Sequence, residues 1–270
     1  MKIAFIGAGV MGEAIISAII SKKIASPDSI WACDIDKARL DLLDRKYSIN
    51  CTADIQSAIH DCEIIVLSIK PQTLSDVTGQ LKGKLKNEQL VLSIIAGTRI
   101  GTITSTMGHN SVVRVMPNTP AQIGEGMSVW TATDGVNQEQ RNMAQTILQA
   151  MGKEIYLSDE KYIDMATAIS GSGPAYIFLV IEAFIDAAVH IGLPRDLAGE
   201  LALQTMLGSA RMVLETSKHP AELRNSVTSP GGTTAEGLLY LEDGGLRAII
   251  TQAVIATYNK AQLLGSENNR

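Results

Sequence analysis

Aromatic residues, long apolar stretches and excess positive charge are all scarce in this chain of 270 residues. Aromatics make up 4% of the sequence, too few for the stacking platforms that bind single-stranded nucleic acid. The longest apolar run, Ala175–Ile181, has seven residues, whereas a membrane-spanning helix needs roughly 20. The formal net charge is −5, which disfavours nucleic-acid phosphates and anionic membrane surfaces. We therefore expect neither a nucleic-acid nor a membrane partner.

Cysteine and histidine are also few. The three cysteines, Cys33, Cys51 and Cys62, form no Cys-x-x-Cys pair, which argues against a disulfide framework or a zinc knuckle. The four histidines form no His-x-x-x-His pair. Only four apolar residues separate Lys2 from Gly7, unlike the apolar stretch of a secretory signal peptide. These features predict a cytoplasmic protein without a metal site.

The balance of 46% hydrophobic and 19% charged residues is that of a globular chain, and its length suffices for about two domains. Strand-like and helix-like segments alternate in the first part, which predicts an α/β fold with a doubly wound, mostly parallel sheet. After about residue 160 only helical patterns remain. We predict an α/β domain over residues 1–160 and an all-helical domain over residues 161–270.

Apolar spacing gives approximate limits for these elements. The predicted strands are Lys2–Ile6, Ser29–Cys33, Glu63–Ile69, Gln89–Ile95, Ser111–Met116 and Met127–Thr131. The predicted helices are Gly12–Ser21, Asp36–Lys46, Lys161–Ile169, Pro174–Ile191, Pro194–Thr216, Thr233–Leu241 and Leu246–Leu264.

The first predicted strand runs into Gly7-Ala8-Gly9-Val10-Met11-Gly12, which has the G-x-G-x-x-G spacing of dinucleotide-binding loops. In such loops the first glycine permits a tight turn, the second lets a pyrophosphate approach the backbone, and the third lets the helix pack on the sheet. The phosphates bind the free N–H groups at the helix N-terminus. The flanking strand and helix favour a Rossmann domain over a bare strand-to-helix turn.

An acidic residue, Asp34, follows the second predicted strand, 22 residues after Gly12. This is close to the offset of the carboxylate that accepts hydrogen bonds from the adenosine ribose of NADH and repels a 2′-phosphate. Lys37 and Arg39 could instead bind the 2′-phosphate of NADPH. Asp34 and Asp36 could also serve only to cap the next helix.

Three predicted strands end in unusual sequences, and ligands of open α/β sheets bind beyond such ends. The segments are Ser68–Gln72, Ile94–Thr98 and Arg114–Pro120. Their small residues and prolines would form a rigid rim beside a flat nicotinamide ring. The alternative is that these segments are ordinary loops with no ligand role, since proline and glycine occur in most loops.

Two glycine-rich turns precede predicted helices in the second part of the chain. Ser229-Pro230-Gly231-Gly232-Thr233-Thr234 combines hydroxyls with glycine N–H groups at a helix start, a compact site for a small carboxylate. Ser170-Gly171-Ser172-Gly173-Pro174 is predicted to form a second such turn. Each could be only a helix cap.

A general base is hard to find in the helical part. Its three lysines are Lys161, Lys218 and Lys260, and none lies in the helix Pro174–Ile191. His190 and His219 adjoin helix ends, which suggests surface or capping roles. Oxidation of an alcohol needs a base, whereas reduction of a C=N bond needs hydride, a carboxylate anchor and a proton source.

These residues resemble the pyrroline-5-carboxylate reductase family, the last enzyme of proline biosynthesis. The most specific match is Val227–Thr234, with His219-Pro220 before it and Leu241-Glu242 after it. The likeness spans the chain to about residue 264. Further matches, in order, are Phe5–Gly12, Lys70-Pro71, Ala96-Gly97, Met116–Pro120 and Ser170–Tyr176.

The resemblance implies reduction of 1-pyrroline-5-carboxylate to L-proline by NADPH or NADH. It implies that the helical part is a dimerisation domain of a homodimer, or of a larger ring of dimers, with substrate at the dimer interface. Thr234 would contact the ring nitrogen as the catalytic residue. The implied substrate-binding residues are Ser229, Gly231, Gly232, Thr233 and Thr234. The implied cofactor-binding residues, including those predicted above from the glycine loop and strand ends, are Ile6, Gly7, Ala8, Gly9, Val10, Met11, Gly12, Asp34, Ser68, Ile69, Lys70, Pro71, Ile94, Ile95, Ala96 and Asn118.

The chain departs from the family pattern in two places. Asp54-Ile55-Gln56 stands where members often carry asparagine, so no cofactor contact is assigned there. Asp34 is acidic where a neutral residue often helps to hold the 2′-phosphate of NADPH.

Two other functions are alternatives to a reductase of this family. A hydroxyacid dehydrogenase of the 6-phosphogluconate dehydrogenase type would need a lysine in Pro174–Ile191, and an NAD-sensing module would not need Ser229–Thr234.

Overall fold

A computed structural model of the chain describes residues 1–267, so residues 268–270 of the predicted helical domain lie outside the described residues. The chain divides into two compact units. The α/β unit comprises Met1–Ser172 and the chain from Thr257 onwards, and the helical unit comprises Gly173–Ala256.

An eight-stranded sheet forms the α/β unit, in the order β3-β2-β1-β4-β5-β6-β7-β8. All neighbouring strands are parallel except β6 and β7, which confirms the predicted mostly parallel α/β fold. The chain passes from edge strand β3 to β4 beside β1, so the strand order reverses there. The strands are β1 Ile3–Ile6, β2 Ile30–Cys33, β3 Asn50–Thr52, β4 Ile64–Leu67, β5 Leu90–Ser93, β6 Val112–Met116, β7 Gly126–Ala132 and β8 Gly152–Tyr156.

Helices cover both faces of this sheet. They are α1 Val10–Ser21, α2 Lys37–Tyr47, α3 Ile55–Ile59, α4 Leu74–Leu81, α5 Ile100–Met107, α6 Gln138–Ala150 and α7 Lys161–Ala166. Alternate strand residues enter opposite cores, because side chains of a strand point to opposite faces. Ile3 and Phe5 pack with α1, α2 and α6, whereas Ala4 and Ile6 pack with α3, α4 and α5. The strand β1, which leads into the glycine loop, is therefore packed against helices on both faces of the sheet.

Two strands, β3 and β8, were not predicted from the sequence. The strand β3 has only three residues, all half-buried, and β8 lies at the other edge with mostly exposed side chains. Edge strands of this kind lack the continuous apolar run of a strand buried on both faces. The predicted limits of the other strands agree with the structure to within a few residues.

The helical unit contains α8 Gly173–His190, α9 Arg195–Thr216, α10 Pro220–Ser226, α11 Thr233–Asp243 and the first part of α12 Leu246–Glu267. The short helix α10 was not predicted. The side chain of His219 caps it by accepting the Ala221 N–H at 3.2 Å, which confirms a capping role for that histidine. Among the described residues of this unit, the only buried ones are two alanines of α9, Ala198 and Ala202. Its large apolar side chains are all partly or fully accessible in the single chain.

Candidate active site

The carboxyl ends of five adjacent parallel strands bring the predicted cofactor residues to one edge of the sheet. The glycine loop follows β1, Asp34 follows β2, and Ser68 follows β4. Ile94 and Asn118 follow β5 and β6 in the same way. This edge, beside the point where the strand order reverses, is where open α/β sheets bind their ligands.

Each glycine of the loop has its own steric environment. Gly7 has φ +89°, and a Cβ there would lie 2.6 Å from the Ser68 carbonyl oxygen. A Cβ at Gly12 would lie 2.9 Å from the Gly7 carbonyl oxygen. A Cβ at Gly9 would meet no protein atom within 4 Å. Gly7 and Gly12 are therefore needed for the turn and for helix packing, whereas the space above Gly9 is free for a ligand.

The helix α1 starts at Val10 with Gly9 at its N-cap, and no side chain caps it. Its first N–H groups and the positive end of its dipole are available to an anion. The open space above Gly9 adjoins these groups. The loop therefore fits the pyrophosphate of a dinucleotide cofactor.

The Asp34 carboxylate braces the glycine loop. It accepts the Ala8 N–H at 2.7 Å through Oδ2 and the Asp36 N–H at 3.0 Å through Oδ1. Asp36, not Asp34, caps α2, by accepting the N–H groups of Ala38 and Arg39. Asp34 is half-buried, so its unshared oxygen lone pairs stay within reach of a ribose at this edge.

The segments after β4, β5 and β6 differ in how firmly they are held. The Ser68 hydroxyl donates to the Gly7 carbonyl at 2.6 Å and so ties its segment to the glycine loop. Lys70 is exposed and precedes a 3-10 helix, Pro71–Thr73. Ile95 is buried while Ala96 is exposed. The Asn118 side chain accepts the Met127 N–H at 2.9 Å, which fixes that amide beside β7.

The turn from Ser229 to Thr234 leads into α11. Gly231 has φ +68°, and the Gly232 N–H donates to the Ser229 carbonyl at 3.1 Å. Gly232 is the N-cap of α11, and no side chain caps this helix. Thr233 and Thr234 are its first two residues and are exposed in the single chain. The turn therefore supplies the N-cap residue of α11, but none of its hydroxyls makes a capping hydrogen bond.

The predicted second turn, Ser170–Pro174, is wrong. Thr167–Gly171 forms a π-helix between α7 and α8, and the Ser170 hydroxyl donates within it to the Ala166 carbonyl at 3.0 Å. A Cβ at Gly171 would lie 2.7 Å from the Met116 Cε at the end of β6. The glycine thus serves close packing inside the α/β unit.

The sequence did not predict a cluster in which three side chains of α2 converge on one carboxylate of α1. Glu13 of α1 accepts from Arg39, Lys46 and Tyr47, all of α2. Burial raises the pKa of Glu13, but the hydrogen bonds from these three groups outweigh it and hold that pKa below its usual value. The spacing of Arg39 and Lys46, seven residues or two helical turns, is the signal that could have placed them on one face.

One arginine of β6 forms ion pairs with two carboxylates. Arg114 of β6 donates to Glu160 at 2.6 Å and to Asp164 at 2.8 Å. Its side chain is 4% exposed, so removing either carboxylate would leave a buried charge without its full set of partners. No cluster of three or more metal-binding side chains occurs among the described residues.

A doubly wound sheet, an open glycine loop and an acidic residue after β2 are together typical of dinucleotide-dependent oxidoreductases. Comparison with protein families gives two matches. Residues 160–264 match pyrroline-5-carboxylate reductase dimerisation, and residues 2–97 match NADP oxidoreductase coenzyme F420-dependent.

Full-length relatives agree. The chain is 41% identical over 267 residues to pyrroline-5-carboxylate reductase of Synechocystis, covering 99% of both chains. It is 39% identical to the Arabidopsis thaliana enzyme of the same name, covering 97% of this chain and 95% of that one. The solved pyrroline carboxylate reductase of Plasmodium falciparum, with NADP bound, is 33% identical with a TM-score of 0.91 and 98% coverage of both chains.

The chain belongs to the pyrroline-5-carboxylate reductase family. It is an NAD(P)H-dependent oxidoreductase of proline biosynthesis, and its helical part is a dimerisation domain that supports a homodimer. By length and hydropathy alone, one described helical stretch, Lys161–His190, could cross a membrane. It lies within the matched dimerisation region, so its exposed apolar side chains fit a subunit interface instead.

Proposed function

We propose that the turn Ser229–Thr234 binds the substrate 1-pyrroline-5-carboxylate and that Thr234 is the catalytic residue. The observation that carries this proposal is the uncapped start of α11, where two threonine hydroxyls stand exposed in the single chain. Neither hydroxyl is used to cap the helix. A polar helix start left in this state suits a small anionic ligand.

The substrate carboxylate would bind the N–H groups of Gly231 and Thr233, together with the hydroxyls of Ser229 and Thr233. The Gly232 N–H closes the turn by donating to the Ser229 carbonyl, so Gly232 would shape the site. The positive φ of Gly231 shapes this turn, and a Cβ at Gly232 would lie 2.4 Å from the Ser229 Oγ. A side chain at Gly232 would therefore displace the serine hydroxyl. The glycines support a role for this turn as a compact oxyanion site.

When bound, NAD(P)H supplies a hydride to the C=N bond of the ring. The Thr234 hydroxyl would hold the ring nitrogen, which gains one proton while the carbon gains the hydride. This proton would come from solvent water, directly or through the Thr234 hydroxyl. A hydroxyl can donate a hydrogen bond to an unprotonated ring nitrogen or accept one from a protonated ring nitrogen. Hydride arrives at carbon, so the chain needs no base to remove a hydroxyl proton, in accord with the absence of lysine from α8.

The cofactor would bind the glycine loop Ile6–Gly12, with its nicotinamide along Ser68–Pro71, Ile94–Ala96 and Asn118. Asp34 would accept hydrogen bonds from the adenosine ribose. The support is the common position of these segments at the carboxyl ends of β1, β2, β4, β5 and β6. The apolar side chains of Ile69 and Ile94 are only partly buried and suit the flat face of a nicotinamide ring, whereas Ile95 is buried in the core beneath them.

Larger assembly and location are part of the proposal. We propose that the homodimers associate into a ring and that the protein acts in the cytoplasm. Its three cysteines are free, which suits a reducing compartment. Sedimentation of the purified full-length chain tests the ring, because a ring of dimers has a mass several times that of a dimer.

The proposed reaction is tested by following NADH or NADPH absorbance with 1-pyrroline-5-carboxylate, while L-proline is quantified as product. We expect one proline per cofactor oxidised. A hydroxyacid dehydrogenase would instead reduce NAD⁺ or NADP⁺ in the presence of hydroxy acids and form no proline. A sensing module would bind cofactor without turnover in either assay.

A further inference from the structure

Arg39 reaches from the first turn of α2 to the glycine loop. Its Nε donates to the Ala8 carbonyl at 2.5 Å, and its Nη2 donates to the Gly9 carbonyl at 3.3 Å. The side chain is 22% exposed, so the guanidinium is partly enclosed. It therefore bonds to the carbonyls of the two peptide groups on either side of the Gly9 Cα.

Glu13 fixes this guanidinium in place. The Glu13 carboxylate accepts from Arg39 through Oε2, from the Lys46 ammonium at 2.7 Å and from the Tyr47 hydroxyl at 3.0 Å through Oε1. The carboxylate is 18% exposed, and its lowered pKa keeps it charged at neutral pH. Charge-assisted bonds of this kind are stronger than neutral ones.

We propose that Arg39 is a positioning residue for cofactor binding, which orients the peptide groups of the glycine loop and is itself held by Glu13. A peptide group is planar and trans, so its carbonyl and its N–H point in opposite directions. By holding the Ala8 carbonyl, Arg39 turns the Gly9 N–H to the opposite side of the loop. The Gly9 carbonyl likewise sets the direction of the Val10 N–H.

Asp34 completes the brace from the other side of the same residue. It accepts the Ala8 N–H at 2.7 Å, while Arg39 binds the Ala8 carbonyl. Both peptide groups of Ala8 are thus fixed by side chains of opposite charge. This loop conformation therefore forms before the cofactor arrives, and binding need not order it.

Because of these contacts, Arg39 is not expected to bind the 2′-phosphate of NADPH. The Nε and Nη2 edge of its guanidinium is already directed at two carbonyls and at Glu13, whose negative charge offsets that of the guanidinium. An arginine that binds a phosphate directly presents its planar fork to that group. Arg39 should therefore contribute equally to NADH and NADPH binding.

The test measures the dissociation constants of NADH and NADPH by calorimetry on the full-length protein. This inference rests on the proposed cofactor role of the glycine loop, and it is tested without substrate so that failure of the proposed reaction is seen separately. We expect Arg39→Met to raise both dissociation constants about tenfold, with their ratio changed by less than about twofold. Glu13→Gln should raise both about threefold, and Arg39→Lys should fall between wild type and Arg39→Met.

Arg45→Met is the matched control, because it removes an exposed arginine charge from the same helix. It should leave both constants unchanged. A loss confined to NADPH in Arg39→Met would make Arg39 a phosphate ligand and overturn the inference. A lower melting temperature with unchanged dissociation constants would reduce Arg39 to a structural role and overturn it equally.

Discussion

The two units of the chain bury their apolar side chains in different ways. In the α/β unit the sheet is covered on both faces, and the largest fully buried side chains, such as Phe5, Ile15 and Leu43, all belong to it. In the helical unit, α8 and α11 contain no buried residue, and Phe178 and Leu179 are 59% and 65% exposed. The first unit completes its own core, whereas the second presents a core-like surface to a partner subunit.

This difference follows from the sequence pattern. Strands such as Ile64–Leu67 are apolar throughout and meet helices on both sides within the chain. The helix α8 of the second unit is apolar around much of its circumference, which is typical of helices buried on several sides. Burying a leucine or phenylalanine contributes about 1.5–3 kcal/mol, so exposure of many such side chains strongly favours association.

The largest expected effect comes from a charge placed on this apolar surface. We expect Leu179→Asp to convert the dimer to a monomer and to lower proline formation more than about 100-fold, because an interfacial carboxylate would be desolvated without a partner. NADH binding by the α/β unit should stay within about threefold of wild type. Sedimentation velocity and calorimetry measure the two properties.

Leu42→Asp is the control for this prediction, since Leu42 of α2 is also exposed, at 47%, but lies in the α/β unit. It should leave the mass and the turnover number unchanged. A dimeric, fully active Leu179→Asp protein would contradict the comparison between the two units.

The next largest effect tests the helical unit as a substrate site. Thr234→Ala should lower the turnover number by about 10- to 150-fold, since a hydrogen bond to a charged group contributes roughly 1.5–3 kcal/mol. The bond would belong to the transition state, so the turnover number should fall and not only the Michaelis constant rise. Because Thr234 does not cap α11, we expect the melting temperature to change little.

Thr234→Val preserves the shape of the side chain without its hydroxyl and should behave like Thr234→Ala. Thr233→Val is a neighbouring control that should mainly weaken substrate binding. Full turnover by Thr234→Val would exclude the catalytic role, and a large drop in melting temperature would point to a structural one.

The glycine loop offers a matched pair within the α/β unit. Gly9→Ala should leave the fold intact, because the added methyl meets no protein atom, but should weaken cofactor binding more than about tenfold, or 1.4 kcal/mol. Gly7→Ala should instead destabilise the protein, because φ is +89° and the methyl would lie 2.6 Å from the Ser68 carbonyl. Thermal melting and calorimetry separate the two effects. Equal cofactor affinity in Gly9→Ala and wild type would remove the dinucleotide interpretation of the loop.

The sequence predicted the α/β unit well because its signals are local. Short apolar runs located six of the eight strands, and the G-x-G-x-x-G spacing located the loop. The short strand β3 and the edge strand β8 carry too few buried side chains to give such a signal. Around the site, capping of α2 by Asp36 was among the stated alternatives, but the convergence of Arg39, Lys46 and Tyr47 on Glu13 depends on how α1 and α2 pack. That packing has no local signature.

A smaller effect concerns the choice of cofactor. Asp34→Ser should improve NADPH relative to NADH by about fivefold, because it removes roughly 1 kcal/mol of repulsion between the carboxylate and a 2′-phosphate. It also removes the acceptor of the Ala8 N–H, so both affinities should fall somewhat while their ratio changes. Asp36→Ser is the control, since it alters the cap of α2 and should leave the ratio unchanged. The specificity constants measured with each cofactor decide the point, and an unmoved ratio would leave Asp34 with its bracing role alone.

The smallest effect is the pH dependence contributed by Glu13. Its pKa in the folded protein lies below the usual 4.5, so the ionised carboxylate stabilises the fold above that pH. This contribution is lost as the pH falls through the lowered folded-state pKa. We expect the melting temperature of Glu13→Gln to lie below that of wild type at pH 7 and to approach it progressively as the pH falls below 4.5. Glu139→Gln, on the α/β unit but away from α2, should show no such convergence. A Glu13→Gln difference that stays constant from pH 7 to pH 3 would mean that the cluster acts through packing and not through the charge of its carboxylate.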